Sequence, residues 1–208
     1  RTLGAAVIFW WLRKDARVRA AWPVRWRGAF SRGRFAEMLH VGVPAAGMLL
    51  FEASAFAFSS IMIGWLGAVP LAAHQIAITC ASLAFMFPLG LSMAAGMRVS
   101  TAVGAGERAR LRPVAFGTMA LGLAVTTVFA LTFGGGGHRI AAWFVHDAEV
   151  IALAAKLLAV AALFQLVDGL QVIGAAALRG ITDVKVPAAI TLVAYWGLAL
   201  PIGYALGV

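Results

Sequence analysis

This 208-residue sequence predicts an all-α bundle of transmembrane helices, and three observations point there. Mean hydropathy is +0.93, charged residues make up only 12% of the chain, and several apolar runs exceed the roughly 18 residues that mark a membrane span. So few polar groups cannot cover a water-soluble globule, so the chain is expected to cross a bilayer several times.

The elements follow from where polar and glycine-rich breaks interrupt the apolar runs. Residues 1–12 read as the end of a preceding span; they lack the small-residue cleavage pattern of a signal peptide. Residues 13–39 form a basic linker, and residues 40–208 form the bundle, with helices expected near 40–66, 71–103, 112–133, 150–178 and 186–207. At about 1.5 Å per residue each exceeds the roughly 30 Å hydrocarbon layer, so the longest must tilt, bend or protrude. Pro88 falls inside the second helix, where a missing backbone donor predicts a kink. The four glycines at 134–137 read as a flexible turn between spans. With a span fragment at the front, the sequence is expected to belong to a longer chain.

The +9 charge is not spread evenly. Arg13, Lys14, Arg17, Arg19, Arg25, Arg27, Arg32 and Arg34 crowd before the first complete helix, whereas the connection at 67–70 carries no cation. Arg108, Arg110 and Arg112 follow, then Arg139 alone, then Arg179 and Lys185. This alternation places the arginine-rich connections in the cytoplasm and runs the first complete helix outward. It argues against nucleic acid as a partner. The leading segment also suits contact with anionic lipid headgroups, with Trp10, Trp11, Trp22 and Trp26 flanking it as interface anchors. Cys80 stands alone in an apolar run, so neither a disulfide framework nor a cysteine metal cluster can be built. His74, near the outer mouth of the second helix, suits the interface better than catalysis.

Two carboxylates carry the functional argument. Glu52 lies near the middle of the first complete helix and Asp168 in the fourth, where a charge costs roughly 2.5–3.5 kcal/mol on insertion scales. A carboxylate at that depth holds a proton or needs a cation beside it, which suits a group that takes up a cation on one side and releases it on the other. Phe56 and Ser59 share the face of Glu52 at i+4 and i+7. Gln165, Asp168 and Gln171 form a polar stripe expected to face protein or water, and Gln75, Thr79 and Ser82 form a similar stripe on the second helix. Two readings stay open for these neutral polar groups: interhelical hydrogen bonding that holds the bundle together, or lining of a pathway. Likewise Met48, Met62, Met86, Phe51, Phe56, Phe58, Phe85 and Phe87 suit either bundle packing or the wall of a pocket for flat, apolar cations. No nucleophile elbow, His-Glu-x-x-His site, phosphate loop or aspartate-rich magnesium site is present, so an enzyme is not expected.

The run Val41-Gly42-Val43-Pro44 before Glu52, then Leu66-Gly67-Ala68, Ala72-Ala73-His74-Gln75-Ile76, Phe87-Pro88-Leu89-Gly90-Leu91, Arg98 and Val103-Gly104-Ala105-Gly106 resemble the start of the second half of a bacterial MATE transporter of the NorM-like type. The segment from Phe164 through Asp168 to Val172, then Ala177-Leu178-Arg179-Gly180 and Asp183, resembles the fourth span of that half. The resemblance covers the chain from Val41 onward. It implies a multi-pass protein of the bacterial inner membrane, a twelve-helix exporter of two six-helix lobes, with the N-terminal half and the last helix outside this sequence. It further implies export of cationic or amphipathic small molecules, without a cofactor, in exchange for protons or sodium ions. Glu52 and Asp168 match the acids linked to cation coupling, and would be the metal ligands if the ion is sodium. Several members carry a tyrosine four residues before the aspartate; Phe164 stands there and offers no oxygen, which favours protons over sodium. A lipid-linked oligosaccharide flippase of the same broad fold and a non-transporting membrane scaffold are the alternatives. Met48, Phe56, Ser59, Gln75, Thr79, Ser82, Phe164, Gln165 and Gln171 are the candidate pathway residues.

Overall fold

The computed structural model describes residues 2–14 and 31–207, and every regular element among them is helical. The expected anchors Trp22 and Trp26, with Arg17, Arg19, Arg25 and Arg27, lie outside the described residues. Backbone contacts divide the chain into two units, Arg1–Met38 and Leu39–Val208. In the first, α1 (Thr2–Lys14) ends on Arg13 and Lys14, cations that favour a helix C-terminus. The Lys14 ammonium sits 3.9 Å from the centre of the Trp10 ring one turn back.

The second unit holds most of α2 (Arg32–Trp65), then α3 (Ala68–Gly104), α4 (Leu111–Ala142) and α5 (Ala148–Gly180). A final membrane helix spans Lys185–Leu206. It is built from α6 (Lys185–Leu192), a π-helical stretch (Val193–Ala199) and α7 (Leu200–Gly207). Among the described residues five helices are therefore long and apolar enough to cross a membrane, and this is a multi-pass helical bundle. Large apolar side chains such as Leu49, Leu131, Leu163 and Val167 remain exposed on its outside, where lipid replaces water.

Turns are set by a few residues. Leu66 and Gly67 alone separate α2 from α3, and Gly67 adopts φ 115°, a conformation closed to most side chains. After α3, Gly106 at φ 74° closes a Schellman turn, with the Glu107 amide donating to Ala102 and the Gly106 amide to Val103. The same turn ends α5, but there a non-glycine residue, Thr182, takes φ 65°. Asp147 caps the start of α5 by accepting from the amides of Glu149 and Val150.

Three departures from the sequence expectation have physical causes. The glycines at 134–137 do not form a turn; α4 runs through them to Ala142. In an apolar surround the backbone must satisfy its own hydrogen bonds, which outweighs the weak helix propensity of glycine. Of the four, Gly137 alone serves close packing: it is buried, and a Cβ there would meet the Ala155 carbonyl of α5 at 3.2 Å. The linker expected over 13–39 is already helical from Arg32. The last span departs from α geometry at Val193–Ala199, just before Pro201, which has no amide hydrogen for the Gly197 carbonyl four residues back.

The core is α3, α4 and α5, whose backbones approach closely in all three pairings. Small residues make this possible: Ala73, Ala77, Cys80 and Ala84 of α3 meet Ala141 of α4 and Ala154 and Ala162 of α5 around Phe133 and Leu158. The tightest point relevant to Asp168 is its neighbour Gly169. A Cβ on Gly169 would lie 2.7 Å from Thr126 Cγ2 of α4 and 3.5 Å from Pro88 Cβ of α3. Thr126 is itself fixed, since it is fully buried and its hydroxyl donates to the Gly122 carbonyl at 3.0 Å.

Gly169→Ala is expected to lower the melting temperature of the detergent-purified protein, equivalent to about 1–3 kcal/mol of overpacking. Thr126→Ser removes the clashing methyl and keeps the hydroxyl, so the double variant should recover part of that loss. A double variant no more stable than Gly169→Ala would contradict the contact.

A candidate cation site between α2, α3 and α5

Asp168 is only 7% exposed and Gln165 only 4%, one turn apart on α5. The glycine that presses against α3 and α4 is the next residue, and one step of about 100° around the helix turns Asp168 away from that contact. It opens instead onto a cavity of about 210 Å³. α2 contributes Glu52 and Phe56, and α5 contributes Phe164, Gln165 and Asp168. The floor comes from α3: Ile78, Ala81, Ser82, Phe85 and Met86.

The two acids expected from sequence thus meet in one place, and each lies within electrostatic reach of the other. Among the described residues no salt bridge reaches either carboxylate. Arg179 acts on Glu52 through space from the last turn of α5, where the helix dipole favours a cation. Sequence reading assigned Arg179 to the cytoplasmic end and did not connect it to Glu52. The signal was present in its spacing from Asp168: eleven residues is close to three turns, so both lie on one stripe of α5.

Gln165 crosses to α3, its amide nitrogen donating to the Ala81 carbonyl at 2.7 Å. Its amide oxygen is buried without a hydrogen-bond partner. Phe56 meets Phe164 edge to face, with ring centres 6.1 Å apart, so the Glu52 and Asp168 helices touch through aromatic walls. Tyr195, on the π-helical stretch, packs its ring 6.1 Å from Phe56 and interacts electrostatically with both acids. Trp196 beside it donates to the Phe51 carbonyl at 3.2 Å and packs against Phe58. Sequence reading missed these two aromatics. A phenol and an indole in the middle of an apolar run were the available signal.

The remaining candidates separate. Gln171 is half-buried on the stripe of Asp168. Ser59 and Met62 line a different cavity of about 180 Å³ shared with Leu200 and Gly203 of α7. Met48 is buried on α2 outside both cavities. Gln75 and Thr79 are exposed on α3, and the Thr79 hydroxyl donates to the Gln75 carbonyl of its own helix. Phe87 packs on Phe129, away from the acids. His74 holds α3 to α2 by contact with Ser60 at 3.3 Å, and Cys80 is a buried free thiol. No group of three or more metal-ligating side chains occurs among the described residues.

Similar proteins point to one family. The family model MatE matches residues 44–205. A protein of Rhizobium meliloti named a probable multidrug resistance protein NorM is 37% identical over 97% of this chain and 44% of its own length. The multidrug resistance protein NorM of Burkholderia vietnamiensis is 39% identical over 81% of this chain and 37% of its own. A probable NorM of Xanthomonas campestris pv. campestris is 40% identical over 86% and 38%. The chain spans less than half the length of these curated relatives. On the extent of the match and the identity across it, the chain belongs to the MatE family.

Proposed function

We propose that this chain forms one half of a secondary active exporter of the bacterial inner membrane. It expels cationic or amphipathic compounds in exchange for protons or sodium ions by alternating access. The observation that carries the reading is the meeting of Glu52 and Asp168 in one aromatic-walled cavity at membrane depth, with no salt bridge to either among the described residues. Buried charge without such a partner is costly and is kept where it moves or binds charge. The multidrug resistance names of the relatives support the same reading. A flippase for lipid-linked oligosaccharides handles an anionic pyrophosphate and needs cationic walls, which this cavity lacks. A scaffold has no use for two such acids.

In the proposed cycle, an outward-facing cavity takes up protons or a sodium ion on Asp168 and Glu52, which weakens its hold on a cationic cargo and releases it. Facing inward, the coupling ion leaves and cargo from the cytoplasm or inner leaflet replaces it. Sodium prefers several oxygen ligands and Phe164 supplies none, which favours protons.

Asp168→Asn and Glu52→Gln are each expected to abolish gradient-driven export of a fluorescent lipophilic cation from proteoliposomes of the complete two-lobe transporter. Protein levels should be near normal, since a neutral amide is cheaper to bury. Normal export by both, at normal levels, would sink the reading.

Orientation has its own test. Cys80 of this sequence is buried, so labelling of a cysteine introduced at an exposed position is read against the unsubstituted protein as background. In intact cells an impermeant maleimide should label Leu66→Cys, on the outer α2–α3 turn, and spare Arg108→Cys. The reverse pattern would invert the proposed topology.

A further inference from the structure

α3 and α4 both pack along α5 and approach each other less extensively than either approaches α5, which leaves a groove between them. Two cavities lie along it. The upper one, of about 360 Å³, is walled by Phe87, Gly90 and Leu91 of α3 and by Leu121 and Val125 of α4, all apolar. The lower one, of about 630 Å³, is lined by Met97 and Arg98 of α3, Glu107 and Arg110 of the following connection, and Val114 of α4. Gly90 and Met97 are two turns apart on α3, as are Val114 and Leu121 on α4, so the same two helix faces build both cavities about 10 Å apart. In the lower cavity Arg110 is taken by Glu107 at 2.9 Å, whereas Arg98 makes no salt bridge among the described residues. Arg108 and Arg112 flank the same connection. Counted from Pro70 at the opposite turn, Arg98 lies 28 residues along α3. That is about 42 Å of helix, close to the roughly 40–45 Å from one headgroup layer to the other.

We propose that the α3–α4 groove is a binding site for an anionic phospholipid of the surrounding bilayer, with the lipid phosphate on the Arg98 guanidinium and an acyl chain in the apolar slot at Gly90. The inference does not depend on which compounds the protein exports. A guanidinium offers phosphate two parallel N–H donors, and Arg98 stands at headgroup depth with no carboxylate bound to it. A soluble anion would use Arg98 and leave the upper cavity empty; an amphiphile uses both. A zwitterionic lipid carries the same phosphate but brings its own cation up against Arg98, Arg108 and Arg112, so net negative charge is what the site favours. Gly90 keeps the slot open, since a Cβ there would meet nothing within 4 Å.

The test is native mass spectrometry of the complete two-lobe transporter in detergent, titrated with phosphatidylglycerol or with phosphatidylcholine of identical chains. The wild type is expected to bind its first phosphatidylglycerol about fivefold more tightly, the worth of one arginine at a membrane surface. Excess glycerophosphoglycerol, the same headgroup without chains, should displace little of it. Both comparisons need no variant. Arg98→Gln should bring the two lipids close to equal, while Arg139→Gln, a cation outside the groove, keeps the preference. Gly90→Leu fills the slot and should weaken both lipids about tenfold, equivalent to some two buried methylenes. Equal wild-type affinities, the result if the other lobe covers the groove, would overturn the inference. Displacement by the bare headgroup would make this a soluble-anion site and overturn it too. A preference that survives in folded Arg98→Gln, or lipid binding untouched in folded Gly90→Leu, would place the lipid elsewhere.

Discussion

The close approach of three helices at Gly169 is the constraint on which the site depends. With no side chain there, α5 lies against Thr126 of α4 and Pro88 of α3. That contact fixes the rotation of α5, and rotation decides whether the next stripe faces lipid or protein. Asp168 and Gln165 end up inside, while Leu163 and Val167 of the same helix face outward. Between helices already surrounded by lipid there is little hydrophobic driving force, so dense packing of small residues has to supply what water supplies elsewhere. The alanine and glycine content of α3, α4 and α5 serves that packing.

Around this core the outer helices attach differently. α2 meets α5 and the last span through long aromatic side chains, Phe56, Phe58, Phe164, Tyr195 and Trp196, and not through close backbone contact. The space those rings hold open is the cavity that contains the acids. Its chemistry follows from what surrounds it: aromatic walls lower the local dielectric, so each charge or unpaired oxygen inside counts for more than it would in water. The site therefore joins a rigid side, which carries Asp168 and Gln165, to a looser side, which carries Glu52. An alternating-access carrier needs that division, with the binding groups split across a seam.

Much of this was legible in the sequence because membranes impose simple rules. Five long apolar runs and the arginine alternation specify spans, and the rarity of acids at depth singles out Glu52 and Asp168. What sequence alone did not reveal depended on packing partners. The 134–137 glycines carry the composition of a turn, yet in an apolar surround they continue the helix, and Gly137 finds its packing partner in Ala155, far away in sequence. Gln165 reads as one of several polar groups until the Ala81 carbonyl is seen to take its donor and strand its oxygen. Tyr195 and Trp196 gain meaning only from the neighbouring α2, far away in sequence. Gln75 and Thr79 show the converse: a polar stripe of the right period that stays outside the cavity because α3 turns it away.

The central claim is that cargo and coupling ion compete for Glu52 and Asp168. It is tested most directly by measuring the affinity of the complete transporter for one lipophilic cation while pH and sodium concentration are varied separately. Competition requires affinity to fall as either protons or sodium ions increase, and that dependence to vanish when both acids are replaced by their amides. Affinity indifferent to both ions, or a dependence that survives in the double amide variant, would contradict it.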